Sequence, residues 1–205
     1  MLSNKGNCKE GTETHNMGEN NGIMSVTLVT KYNPLWPVWF EEMRTMLDAD
    51  LGDSHLSIEH VGSTSIPGMT AKPIIDIDIV IDIRKFDEVR EKLEKQGYVY
   101  EGDLGIVGRE AFKLREVTLE TELPAHHLYV CHLKSFELRK HLVFRNFLRE
   151  HPEYLEQLSQ LKWTLAEKYD NDRQAYIEGK SDLVQIITSL ALQTFDDQRR
   201  EGRQQ

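Results

Sequence analysis

The sequence predicts an α+β domain built on one mixed β-sheet, flanked by helices and followed by a helical last third. Three observations lead there. β-Prone segments separated by Gly-, Pro- and Ser-rich turns lie in the first two-thirds, mainly between Leu56 and Leu133. Helical spacing of apolar residues takes over from Glu137 almost to the end. No repeat and no long linker divides the chain into two units. With 205 residues it has the size of one domain and room for a real core. Its composition, 39% hydrophobic and 29% charged, is that of a folded chain rather than a disordered or fibrous one.

Each element has its own justification. Ser25-Val26-Thr27-Leu28-Val29 reads as a first strand. Asn33-Pro34 reads as an N-cap with proline at the first helical position. Behind it, Trp36, Trp39, Phe40, Met43, Met46 and Leu47 fall on one face, and Gly52 closes the helix. The two tryptophans read as core anchors rather than as stacking platforms for a ligand. Leu56–Val61 is a short strand that runs into Gly62-Ser63-Thr64-Ser65 and then Ile66-Pro67-Gly68. After Lys72-Pro73 comes Ile74–Ile83, the clearest strand of the chain. Lys85–Gln96 is a helix with Phe86, Val89 and Leu93 inward and Gly97 as its stop. Tyr98–Tyr100, Ala111–Leu119 and His127–Leu133 complete the sheet. A helix from Glu137 ends at His151-Pro152. The next carries Tyr154, Leu155, Leu158, Leu161, Leu165 and Tyr169, and Ser181 is expected to cap a last helix after a break at Gly179.

The bulk numbers limit function. A net charge of −9 argues against a protein that coats nucleic acid, though a small basic pocket remains compatible with it. Two cysteines, Cys8 and Cys131, make no disulfide framework, and no apolar run approaches the roughly 20 residues of a membrane span. A cytoplasmic protein without membrane contact is expected; its oligomeric state is not legible. Residues 1–24 are rich in Asn, Gly, Glu and Thr, too polar to offset chain entropy, and are expected to be a disordered leader. Met24 is an alternative start. Residues 196–205 are expected to be a frayed tail.

The chemistry concentrates in two places. In the strand beginning at Ile74, side chains alternate, so Ile75, Ile77, Ile79 and Ile81 share one face and Asp76 and Asp78 the other. Two carboxylates held close among apolar neighbours repel each other and lose hydration. A proton or a divalent cation such as Mg²⁺ or Mn²⁺ relieves that. The ordinary alternative is an edge strand with both aspartates facing water. The second place is the turn at Gly62. Glycine after a strand lets backbone approach a ligand, consecutive turn amides can form an anion nest, and Ser63, Thr64 and Ser65 add hydroxyl donors. Lys72 supplies positive charge just before the acidic strand. Arg139, Lys140, Arg145 and Arg149 share one helix; Arg145 and Arg149, four apart, can grip an anion or form an ordinary solvated face balanced by Glu137 and Glu150. Lys180, after Gly179, is a further ligand candidate. His60, beside the turn, reads as a packed histidine.

Ile58-Glu59-His60-Val61-Gly62-Ser63-Thr64-Ser65-Ile66-Pro67-Gly68, continued by Ala71-Lys72-Pro73-Ile74-Ile75-Asp76-Ile77-Asp78, resembles the signature of the GrpB family. Pro34-Leu35-Trp36, His127-Leu128-Tyr129-Val130, Phe144–Arg149 and Tyr176-Ile177-Glu178-Gly179-Lys180 resemble further segments of it, so residues 25–195 are expected to form a GrpB-like domain. The resemblance implies a nucleotidyltransferase-like fold, in which a Gly-Ser turn precedes Asp-x-Asp on a strand. It implies metal at Asp76 and Asp78 and phosphate at Gly62 and Ser63. Such folds place a third carboxylate on a later strand; here that strand reads His126-His127, which makes His127 the metal-ligand candidate. Asn146 stands where the family pattern has Asp. Members fused to a dephospho-coenzyme A kinase add a coenzyme A-like ligand to the possibilities.

Two functions follow as expectations. The leading one is metal-dependent nucleotidyl or phosphoryl transfer to a small phosphorylated metabolite. In it Asp76 and Asp78 serve as catalytic carboxylates, and Gly62–Ser65, Lys72, Arg145 and Lys180 hold phosphate. The alternative is binding of a nucleotide or coenzyme A-like ligand without turnover. A carboxylate from Glu59, Glu110 or Glu120 beside the aspartates favours the first; a histidine alone favours the second.

Overall fold

The computed structural model describes residues 29–115, 123–169 and 172–202. In order, these form α1 (Trp36–Leu51), β1 (Ser57–Val61), β2 (Ile75–Ile81), α2 (Phe86–Lys95), β3 (Tyr98–Gly102), β4 (Arg109–Leu114), β5 (His126–His132), α3 (Phe136–Glu150), α4 (Pro152–Lys168) and α5 (Arg173–Glu201). The strands make one sheet in the order β1-β2-β5-β4-β3. β2 and β5 run parallel and every other pair is antiparallel, so the expected mixed sheet is present.

Alternation along β2 sorts the sheet into two faces. Ile75, Ile77, Ile79 and Ile81, with Ile58 from β1 and Leu128 and Val130 from β5, pack against Trp36, Phe40, Met43, Leu47 and Leu51 of α1 and Val89 and Leu93 of α2. Trp36 is fully buried there and Trp39 packs at the margin, so both tryptophans are core anchors. The other face carries Asp76, Asp78 and Val80. α3 covers part of it, with Leu138 and Leu142 against Val80, Cys131 and Tyr129. A second core joins the loop after β1 to the helical part: Ile66 and Met69 insert among Val143, Phe147 and Leu148 of α3, Leu158 of α4 and Ile187 and Ala191 of α5. That insertion fixes the Gly62-Ser63 turn against α4.

Several boundaries differ from expectation. α1 starts at Trp36 with Pro37 in its first turn; Asn33 caps the preceding turn instead, its side-chain oxygen accepting from the Leu35 amide at 3.0 Å. β4 ends at Leu114, and residues 116–119 of the expected strand lie outside the described residues, as do the leader and residues 25–28. Val29 is buried beside Tyr176, and Thr30 bridges to Ala71. The last helix neither breaks at Gly179 nor begins at Ser181. α5 runs unbroken from Arg173 through Glu201, with Ser181 Oγ donating back to the Ile177 carbonyl, so residues 196–201 of the expected tail are helical. Gly179 has a different purpose: a Cβ there would lie 2.5 Å from Leu165 Cδ2, so it lets α5 pass close to α4. Among the described residues, no helix is long and apolar enough to cross a membrane.

Candidate functional site

The site forms where the end of β1, the start of β2 and the inner faces of α4 and α5 meet. Gly62 follows β1 with φ of 69°, a conformation that glycine adopts at no steric cost. Its lack of a side chain matters as much. A Cβ there would lie 2.1 Å from Oδ2 of Asp76 and 2.8 Å from its Cγ. The neighbour for which Gly62 makes room is therefore the Asp76 carboxylate, so turn and acidic strand form one unit.

The three hydroxyls of the turn do different things. Thr64 is buried, and its Oγ1 donates to the Ile74 carbonyl at 3.1 Å. Its one proton being spent, it accepts from Nε2 of His60 at 3.1 Å. Ser65 is also buried and donates to the Gly62 carbonyl at 2.6 Å. Both were expected as phosphate donors; both instead brace the turn from within. Ser63 alone of the three is partly exposed, and its partner is a lysine that the sequence reading did not single out. Lys162 of α4, 3% exposed, brings its Nζ within 2.6 Å of Ser63 Oγ and 3.0 Å of the Thr70 carbonyl. Burial lowers this amine to about 7; Lys180 pushes the same way and Asp76 opposes.

Lys72 and Lys180 complete a basic cluster. Their amines approach the ring of the buried Tyr176, at 4.9 and 5.2 Å from its centroid. Both are lowered by burial, and Lys72 also by Lys180 and Arg173. Asp76 opposes the shift at Lys180, so the carboxylate lies within the field of the cluster.

The two aspartates differ sharply. Asp76 has a side chain 29% exposed, and its Oδ1 accepts from Nδ1 of His127, its register partner on β5, at 2.8 Å. Asp78 is fully buried. Its Oδ2 accepts from Nδ1 of His141 on α3 at 2.6 Å, while Oδ1 is buried without a partner among the described residues. Burial raises Asp78, and the hydrogen bond and charge of His141 only partly offset that. His141 is also raised. Burial pulls it down, but the hydrogen bond and charge of Asp78 and the charge of Glu137 outweigh that. The pair thus retains a proton to higher pH than its members would separately.

The remaining candidates support the turn rather than face a ligand. Arg145 donates to Glu59 Oε2 at 3.0 Å and to the His60 carbonyl at 2.9 Å, and Arg149 donates to the Ser65 carbonyl at 2.6 Å. His60 stacks on Phe40 at 4.6 Å and is lowered to about 4 by burial, so it is the packed, neutral histidine expected. Of the acids expected to complete a triad, Glu59 lies on the aspartate face but is held by Arg145. Glu110 is in register with Val130, on the opposite face, and accepts from the Tyr100 hydroxyl. Glu120 lies outside the described residues. His126 likewise turns away, accepting from Tyr98. Among the described residues, no three His, Cys, Asp or Glu side chains gather into a metal cage. Surface hollows of about 430 Å³ beside Phe136 and Glu137 and about 600 Å³ along α5 at Ile186 are lined by neither the turn, the two aspartates nor the three lysines.

The family model described as GrpB protein matches residues 26–189. UPF0157 protein YqkA of Bacillus subtilis is 33% identical over 163 residues, which is 78% of this chain but 46% of that protein. The chain thus spans about half the length of YqkA, whereas it covers 97% of the glutamate-rich protein GrpB of Alkalihalophilus pseudofirmus, 33% identical over 175 residues. The crystal structure of conserved protein GrpB from Enterococcus faecalis superposes with a TM-score of 0.72 at 33% identity, covering 82% of this chain and 99% of that one. With its Gly-Ser turn and Asp-x-Asp strand in contact on a mixed sheet, the chain belongs to the GrpB family.

Proposed function

We propose that this site binds a phosphorylated small molecule, a nucleotide or a coenzyme A-like compound, through Ser63, Lys162, Lys180 and Lys72. The observation that carries the reading is Lys162. A lysine amine so deeply buried, with no ion-pair partner among the described residues, costs stability, and a polyanionic ligand would repay that cost. Lys72 and Lys180, gathered over Tyr176, supply positive field beside that amine.

A divalent cation, Mg²⁺ or Mn²⁺, fits the acidic side of the site in one way. Mg²⁺ is usually held by one or two carboxylates together with the phosphates of its ligand. Asp76 and Asp78 supply that number of carboxylates, and the orphaned Oδ1 of Asp78 supports a demand for a further partner. His127 stands beside Asp76 as the remaining donor. When bound, the ion would neutralise phosphate charge and relieve the repulsion of the aspartates.

Nucleotidyl or phosphoryl transfer is the second reading, favoured by the close fit of Asp76 against Gly62. Binding without turnover is the better supported of the two. Glu59 and Glu110 are engaged elsewhere, and only histidines reach the aspartates among the described residues. Melting curves with ATP and with coenzyme A, each with and without Mg²⁺, test the reading. The expected result is a rise in melting temperature for at least one compound that is larger with Mg²⁺ and absent in Lys162→Met. No shift with any phosphorylated compound would sink it.

A further inference from the structure

The Ser63–Lys162 contact has chemistry beyond anion binding. Among the described residues, no carboxylate touches Lys162; its contacts are Ser63 Oγ at 2.6 Å and the Thr70 carbonyl at 3.0 Å. An amine so buried, with Asp76 only partly offsetting the cost, favours its neutral form. A neutral amine has two protons and one lone pair. The amine donates to Ser63 Oγ and to the Thr70 carbonyl; once neutral, it keeps one proton on the carbonyl and turns its lone pair to the Ser63 hydroxyl. A serine hydroxyl paired with a desolvated lysine is a known arrangement for nucleophile and base. Thr64 and Ser65 have no such partner, since their protons go to backbone carbonyls. Ser63 is also partly exposed, at the mouth of a basic cluster suited to a polyphosphate.

We propose that Ser63 is a nucleophile activated by Lys162, and that it accepts a phosphorus-centred group from a phosphoanhydride ligand such as a nucleoside triphosphate. This rests on the reading that the site binds phosphorylated molecules, and adds that the chain modifies itself there. Ser63 Oγ bonds to the electrophilic phosphorus as its proton passes to Lys162 Nζ. The anhydride P–O bond breaks, and the bridging oxygen leaves with the electron pair, on pyrophosphate or on a nucleoside diphosphate, regaining a proton from Lys162. No third carboxylate is required, because the acceptor hydroxyl belongs to the chain and its base is already beside it.

The test incubates the full chain with MgATP labelled at the α- or the γ-phosphate, denatures it, and maps retained label by peptide mass spectrometry. The two labels distinguish transfer of a nucleotidyl group from transfer of a phosphoryl group. Wild type should carry label at Ser63, and Ser63→Ala should carry none. Lys162→Arg keeps a positive charge but cannot take up a proton near neutrality; its labelling should fall at least 100-fold when compared at equal occupancy by a non-hydrolysable ATP analogue. Should that variant fail to fold, the wild-type pH profile decides. Labelling should climb steeply as Lys162 loses its proton near pH 7, a point set mainly by burial; Lys180 of α5 lowers it further and Asp76 of β2 raises it. Wild type that binds the analogue but takes no label, label that persists in Ser63→Ala, or a flat pH profile overturns the proposal. Failure of the analogue to bind overturns the binding reading itself, a separate result.

Discussion

Replacing Gly62 with alanine tests whether turn and acidic strand are one unit. The new Cβ would arrive 2.1 Å from Asp76 Oδ2 and 3.0 Å from Asp76 Cβ, so the carboxylate must swing away. Doing so breaks its hydrogen bond from His127, a loss of about 0.5–1.5 kcal/mol. The positive φ adds about 1–2 kcal/mol for any residue with a side chain. Together these predict destabilisation by about 1.5–3.5 kcal/mol, a fall in melting temperature of roughly 3–14 °C for a chain of this size. In an Asp76→Ala background the carboxylate is gone, and only the backbone cost and the tight 3.0 Å contact with the remaining Cβ are left. A double-mutant cycle by urea denaturation should therefore show coupling of about 1 kcal/mol between the two positions. Additive losses would mean that Gly62 serves the backbone alone, and would refute the reasoning.

Three further predictions follow from buried charge. His60 is lowered to about 4, against 6.5 in an unfolded chain, so between those values unfolding takes up a proton that the folded state refuses. Stability should fall as pH drops from 6.5 to 4, and His60→Gln should flatten part of that fall in a chemical-denaturation series. For Lys162 the window runs from about 7 to 10.5. There the unfolded chain holds the extra proton, so wild-type stability should rise with pH relative to Lys162→Met; a pH-independent difference would show that the amine is not desolvated. Arg145→Ala removes the partner of Glu59 and of the His60 carbonyl. It should lower stability by about 1.5–3 kcal/mol, with less effect on ligand affinity than Lys180→Met; the reverse ranking in binding and melting measurements would return Arg145 to the ligand.

What was legible in the sequence was local. The alternation in β2 placed Asp76 and Asp78 on one face, and the resemblance through Gly62-Ser63 located the turn. Neither showed how unlike the two aspartates are, because burial depends on what α3 lays over the strand. Lys162 and His141 went unrecognised because they reach the site from 99 and 63 residues away from their partners. A signal for Lys162 did exist. It lies four residues after Leu158 and three before Leu165, on the inward stripe of α4, where a lysine is costly without a purpose. Thr64 and Ser65 looked like ligands because composition cannot tell a hydroxyl that faces solvent from one bonded back to its own turn. Gly179 misled in the other direction. A helical glycine that accommodates Leu165 of a crossing helix has the same letter as one that ends a helix.

The central claim is that Ser63, Lys162, Lys180 and Lys72 recognise phosphate, with Asp76 and Asp78 contributing through a divalent ion. Calorimetric titration of inorganic tripolyphosphate, with and without Mg²⁺, isolates that claim from the identity of any organic group. Wild type should bind, more tightly with Mg²⁺, and the affinity should weaken with added salt. Lys180→Met should lose roughly ten- to hundredfold, the scale of one charge-assisted contact of about 1.5–3 kcal/mol. Asp76→Asn should bind with its Mg²⁺ dependence abolished. Wild-type affinity in Lys180→Met, together with an unchanged Mg²⁺ response in Asp76→Asn, would contradict the account.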